Sequence, residues 1–169
     1  MFPEQKHQEG DLTLEKCLSP LSVSLKEKIM KINKSFFTGD EVLFIGYSAK
    51  NKSFSNMIMN AFTSNGINVY PMNNKPSSIY DTQVYHSLDQ LPKVPEVAYV
   101  LLNKNNSNKI INQLADSGVK KIIFQNKKCL DNAVLEACRK RKLEAVVACP
   151  MMILGSGIHK LHGYIAGVR

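Results

Sequence analysis

Between Glu41 and Pro150, short apolar runs alternate with stretches whose apolar residues recur every three or four positions. That alternation limits the chain more than any other feature. "EVLFIG", "INVYPM", "EVAYVLL", "KKIIFQ" and "EAVVAC" read as strands. Each is short and nearly continuous in apolar residues, as expected of strands covered on both faces. Between them lie three helix-period segments. The first passes through Phe54, Ile58 and Phe62 and stops near Asn65-Gly66. The second runs from about Asn106 to Ser117, with Ile110, Ile111 and Leu114 on one face, and Gly118 stops it. The third runs from Leu130 to Lys140. Strands separated by helices of this length predict an α/β fold: a Rossmann-like, doubly wound parallel sheet of about five strands joined by right-handed crossovers. Val42–Ile45 is expected at or near the centre.

The boundaries follow from this pattern. Residues 1–40 form a polar extension in which Ser19 can cap a helix with Pro20 at its first position. Leu21, Leu25, Ile29 and Ile32 then recur at helical spacing, as in an amphipathic helix packed on the main domain. Residues 41–154 are the Rossmann-like domain. Residues 155–169 are a glycine-interrupted apolar tail, read as a short helix from Ile158 onward. The 169 residues suffice for one such domain with a core of its own.

In open parallel sheets, ligands bind beyond the carboxyl ends of the strands, near the point where strand order reverses. The first strand ends in "GYSAKNKSFS". Gly46 lets the backbone turn and leaves room for a phosphate. On that reasoning a Gly46→Val substitution is expected to abolish ligand binding with modest loss of stability. Ser48 offers a hydroxyl. The helix start around Ser53 and Ser55 offers free N–H groups and a positive dipole, and Lys50 and Lys52 add charge. The plain alternative is a solvated loop with capping serines. The second strand is read as closing at Pro71, before the polar "NNKPSS". A G-x-G-x-x-G fingerprint is absent, since no glycine follows Gly46 until Gly66. Nor does an acidic residue close the second strand to hold a ribose; Pro71, Asn73 and Lys75 stand there instead. These points argue against a conventional NAD site, and the lack of a Walker A sequence argues against a P-loop NTPase.

The ordered series "GYSAKNKSFS", "GINVYPMNNK", "VYHSLDQLP", "EVAYVLL", "GVKKIIFQ" and "VVACP" resembles the CoA-binding-domain proteins, small Rossmann-like proteins related to the CoA-binding domain of the succinyl-CoA synthetase α subunit. The resemblance covers about Val42 to Leu154. The family's G-x-S stretch is matched by Gly46, Tyr47 and Ser48, and its helix-opening serine by Ser53 or Ser55. Its V-x-P-V-N-P-like segment is matched at Val69, Pro71 and Asn73, with Asn74 in place of the second proline. Tyr85, Ser87, Leu88, Leu91 and Pro92 match a further stretch. Gln125 matches a glutamine closing a strand, although the glycine expected soon after it is absent. Cys149 matches a cysteine after the last strand. The resemblance implies a small-molecule nucleotide ligand, CoA or an acyl-CoA, with the pyrophosphate against Ser48 to Ser55 and the adenosine over Pro71 to Lys75. It does not imply catalysis, because the synthetase's phosphohistidine and grasp machinery are not in this chain.

The formal charge of +8 favours anionic partners without choosing among them. "CRKRK", Cys138 to Lys142, reads as the basic end of a helix, where cations suit the macrodipole. The scattered aromatics form no RNA-stacking motif. The competing reading is a nucleic-acid or protein-interaction module on a Rossmann-like scaffold without nucleotide. His159 and His162 share a helix face and with Cys149 supply three zinc ligands; a packed amphipathic tail is the preferred reading, so no metal is expected. Cys149 itself reads as a buried small apolar residue. No apolar run reaches the roughly 18 residues that span a bilayer. "MFPEQKHQEGDL" lacks the layout of a secretory signal, so Cys17, Cys129, Cys138 and Cys149 read as reduced thiols and the chain as cytoplasmic.

Overall fold

The computed structural model describes residues 36–37, 39–76 and 78–155. The expected N-terminal helix with Leu21, Leu25, Ile29 and Ile32, and the tail with His159 and His162, lie outside the described residues. Within them the expected elements are present: β1 (Glu41–Ile45), α1 (Lys52–Thr63), β2 (Asn68–Met72), β3 (Val97–Val100), α2 (Lys104–Asp116), β4 (Lys121–Phe124), α3 (Asn132–Lys140) and β5 (Glu144–Val147), followed by a further helix, α4 (Pro150–Leu154). All five strands are parallel, in the order β2-β1-β3-β4-β5. β3 holds the middle, and β1 lies beside it.

Successive residues of each strand face opposite sides of the sheet, and both sides are covered. Leu43, Ile45, Ala98, Val100, Ile122 and Phe124 face the layer that holds Ile111 and Leu114 of α2 and Val134 and Cys138 of α3. Val42, Phe44, Val97, Tyr99, Ile123 and Val146 face Ile58 and Phe62 of α1 and Leu154 of α4. This is the doubly wound arrangement that the continuous apolar strands predict. α4 differs from expectation, since helix was read only from Ile158. Pro150 takes its first position, where the fixed φ suits a helix and the missing N–H costs nothing. Asn103 and Asp131 cap α2 and α3, their side-chain oxygens accepting the N–H groups of Asn106 at 3.0 Å and Val134 at 3.1 Å. Past the end of α1, Gly66 has a φ of +77° and lets the N–H of Ile67 reach back to the Phe62 carbonyl.

Among the described residues, the link from β2 to β3 contains no α-helix. Its course is set by one parallel bridge, Met72 to Tyr85. The Tyr85 N–H donates to the Pro71 carbonyl and the Asn73 N–H to the Tyr85 carbonyl, both at 2.9 Å. Tyr85 is therefore a one-residue strand outside β2. Counting it, the sheet has the 3-2-1-4-5-6 order of dinucleotide-binding folds, with the third strand cut to a single residue. Pro71 does not close β2, as the sequence reading had it, but lies inside it, paired with Phe44. Its backbone faces the outer edge, where its carbonyl is used and its missing N–H is not needed.

Candidate functional site

Strand order reverses between β1 and β3, and a cleft of about 410 Å³ opens there at the carboxyl ends of the strands. Its floor is Ile45, Gly46, Met72 and Leu102. One wall is α2, through Asn106, Lys109, Ile110 and Gln113. These positions follow helical spacing and so share a face. The other wall is the stretch His86 to Asp89, and Asn73 and Asn74 close the end. The volume falls within the roughly 300–1,000 Å³ of small-molecule sites.

Gly46 sits where three strands meet. Its N–H donates to the Met72 carbonyl at 2.8 Å, and the next strand is joined through Leu101 N–H to Ile45 O at 2.9 Å. Its φ is +93°, and a Cβ added there would lie 2.3 Å from the Leu101 carbonyl oxygen. Gly46 is therefore required by the backbone of the chain itself. The expectation that a side chain here costs the fold only modestly, its main effect being to block a phosphate, is corrected in its cause: the added Cβ meets the Leu101 carbonyl of the chain itself.

Asn73 ties the site together. Its Nδ2 donates to the Tyr47 carbonyl at 2.7 Å, and its Oδ1 accepts the Lys75 N–H at 3.0 Å. Its own carbonyl lies 2.8 Å from His86 Nδ1. A carbonyl only accepts, so Nδ1 carries the proton and Nε2 is left without that duty. The His86 N–H donates to Gln90 Oε1 at 2.8 Å, which fixes the turn that forms the second wall. Asp89 on that wall has its carboxyl held below the usual range, first by the Ser87 hydroxyl and then by its own backbone N–H.

The loop between β1 and α1 lies beside the cleft. The Ser48 N–H donates to the hydroxyl of fully buried Ser55 at 2.9 Å, and the Asn51 N–H donates to Ser48 Oγ at 3.1 Å. Both serines thus shape the loop. No acidic residue stands in the first turn of α1, so the helix supplies no anion of its own to its free N–H groups and dipole. Ser53 and Lys50 are exposed at this end. Lys52 Nζ lies 3.3 Å from Asp81 Oδ2, which also accepts from Asn56 Nδ2 at 2.9 Å; the buried Tyr47 hydroxyl donates to Asp81 Oδ1 at 2.9 Å. These donors, Asn56 foremost and then Tyr47, hold the Asp81 carboxyl down at about 2. Burial foremost, and then the Asp81 carboxylate, raise the Tyr47 phenol.

Of the ligand-binding candidates named from sequence, Gly46 and Asn73 line the cleft, as do Ser87 and Leu88 of the family-matched stretch. Ser48, Lys50, Lys52, Ser53 and Ser55 cluster at the start of α1. Tyr47 is packed under the loop, Pro71 is in β2, and exposed Lys75 follows Asn73. Gln125 is elsewhere: its Oε1 accepts the hydroxyl of fully buried Tyr99. Burial foremost raises the Tyr99 phenol, with smaller contributions from Cys149 and Cys129. Cys149 is half-buried and precedes α4. Among the described residues no group of three or more His, Cys, Asp or Glu side chains could hold a metal ion, and no helix is long and apolar enough to cross a membrane. The sequence reading missed the wall residues His86, Asp89, Asn106, Lys109 and Gln113. The available signals were the spacing of the polar residues on α2 and the family-matched stretch "VYHSLDQLP", which contains His86 to Asp89.

A parallel, doubly wound sheet with its cleft at the strand-order reversal defines a Rossmann-like domain. The sequence profile of the CoA binding domain matches residues 40–155, and the chain belongs to that family. No curated protein matches it. Among solved structures it is similar to a conserved hypothetical protein from Pyrococcus furiosus, at 20% identity over 73% of this chain and 99% of the other, with a TM-score of 0.56. A hypothetical protein from Pyrococcus horikoshii OT3 gives 19%, 69%, 84% and 0.58 in the same terms. Prb, a protein redesigned for binding, gives 21%, 70%, 87% and 0.59. At these identities the likeness is one of fold.

Proposed function

We propose that the chain binds CoA or an acyl-CoA, as a ligand and without catalysing a reaction on it. One observation carries the reading: the cleft at the strand-order reversal lies next to the start of α1, whose own first turn contains no acidic residue, with Gly46 between the two. The apolar part of the cleft, with Met72, Leu88, Leu102 and Ile110, suits the flat adenine ring, and the amides of Asn74, Asn106 and Gln113 suit its polar edge. From there the ribose passes Gly46, and the pyrophosphate meets the N–H groups at the start of α1, with Lys50 and Lys52 adding charge.

The interaction-module reading calls for basic residues gathered in a stripe away from the loops. What favours the ligand reading over it is that the polar groups after β1 and β2 converge through Asn73.

The test begins with mass spectrometry of gently purified protein for bound nucleotide. Nucleotide-free protein is then melted with saturating CoA, NAD and ATP. A ligand at 100 times its dissociation constant stabilises the native state by about 2.7 kcal/mol. At about 2–4 °C per kcal/mol this is a shift of roughly 5–10 °C. CoA is expected to give the largest shift. No shift with CoA would overturn the proposal in favour of the interaction module.

A further inference from the structure

We infer that Lys109 is the residue by which the cleft selects a nucleotide bearing a 3′-phosphate on its adenosine ribose, the group that sets CoA apart from NAD, ATP and dephospho-CoA. The inference rests on the ligand reading above and deepens it.

Three groups on the cleft walls bear or can bear charge: Lys109 on α2, and His86 and Asp89 opposite. Asp89 is already engaged by the Ser87 hydroxyl and its own backbone N–H. Lys109 forms no ion pair among the described residues. α2 itself offers it no anion, because the helix's one acidic residue, Asp116, pairs with Arg141. Lys109 lies in the helix interior, away from the C-terminal turn where a cation serves the dipole. The fold therefore makes no use of its charge. Its neighbours on the cleft face, Asn106 and Gln113, are neutral donors that can support an anion without competing for it. Across the cleft, His86 has Nδ1 committed to the Asn73 carbonyl, which leaves Nε2 to meet a ligand.

With adenine between the walls and the pyrophosphate at α1, the ribose lies between them, past Gly46 and along the α2 wall. A dianionic phosphate on that sugar gains from the Lys109 cation, and the Asp89 carboxylate keeps it on the α2 side. A ribose with a bare hydroxyl offers Lys109 no opposite charge and gains far less.

The test is calorimetric titration of the full chain, as purified and as Lys109→Gln, with CoA and with dephospho-CoA. A charge-assisted contact in a partly open cleft corresponds to about tenfold in affinity. The native chain is expected to bind CoA about tenfold more tightly than dephospho-CoA. Lys109→Gln is expected to lower CoA affinity to the dephospho-CoA level and leave dephospho-CoA unchanged, with an unaltered melting point in the absence of ligand. Lys104→Gln, on the same helix but outside the cleft, is the control for general charge and is expected to change neither affinity. Equal affinity of the native chain for both ligands would overturn the inference and leave the ligand reading standing. So would a Lys104→Gln loss as large as that of Lys109→Gln. Failure of both ligands to bind would overturn both.

Discussion

Replacing Gly46 with alanine tests whether this glycine serves the fold or the ligand. Its φ of +93° is costly for any residue with a Cβ, and the added carbon would lie 2.3 Å from Leu101 O, 3.0 Å from Leu101 C and 3.0 Å from Leu102 Cδ2. The leucine side chain can turn aside; the carbonyl cannot, because Leu101 is held to β1 through its N–H bond to Ile45 O. The left-handed conformation costs about 1–2 kcal/mol, and forcing an atom into a filled space about 1–3 kcal/mol. The combined loss of about 2–5 kcal/mol is a large share of the roughly 5–15 kcal/mol that holds a domain together. At about 2–4 °C per kcal/mol, the melting point falls by roughly 5–20 °C. Gly66→Ala is the control. It has a φ of +77° with nothing within 4 Å of the added Cβ, so it bears the conformational cost alone. Thermal melts of both variants by far-UV circular dichroism, without ligand, separate the two contributions. If Gly46→Ala melts within a degree or two of Gly66→Ala, the clash with Leu101 is not felt and the reasoning fails.

Tyr99 makes stability depend on alkaline pH. Burial raises its phenol above the ordinary value of 10.0, so the unfolded chain releases that proton first. The contribution is fully present below pH 10 and is lost as pH rises beyond it, by at most about 1.4 kcal/mol per pH unit. Urea melts from pH 8 to 11 should show this decline, and Tyr99→Phe should flatten it; an equally steep decline in Tyr99→Phe would count against it. Ser107 in α2 is fully buried and its hydroxyl has no hydrogen-bond partner among the described residues. Ser107→Ala should raise stability by about 0.5–2 kcal/mol, by removing an unpaired polar group and improving helix propensity. A lower urea midpoint in that variant would show that the hydroxyl has a partner after all.

The sheet and its helices were legible because their signals are local. An apolar run bounded by Gly46, or a helical face of Ile110, Ile111 and Leu114 ended by Gly118, carries its meaning within a dozen residues. The cleft was half legible for the opposite reason. Gly46 and Asn73 stand at strand ends, where the fold itself predicts a site. His86 and Lys109 come from segments 23 positions apart, and their meeting across a cleft leaves no periodicity to read. Pro71 was misjudged because a proline normally ends a strand; only knowledge that β2 lies at the sheet's edge shows that the missing N–H faces nothing that needs it. Tyr85, as a strand of one residue, has no pattern at all. Gln125 was singled out by family likeness, but its side chain answers to Tyr99, a partner 26 residues away.

The outer margin of β2 has a consequence for how copies of the chain can meet. A bare parallel edge strand offers alternating N–H and carbonyl groups to any extended segment that drifts past. Here Tyr85 already takes the Pro71 carbonyl and the Asn73 N–H, and Pro71 has no N–H to give. Val69 alone within β2 still presents its backbone outward, too little for a second chain to pair with. The single-residue strand that replaces a full one thus works as a stopper. It keeps the sheet from growing sideways across that side, so that of the two margins only the one formed by β5 is left to lengthen.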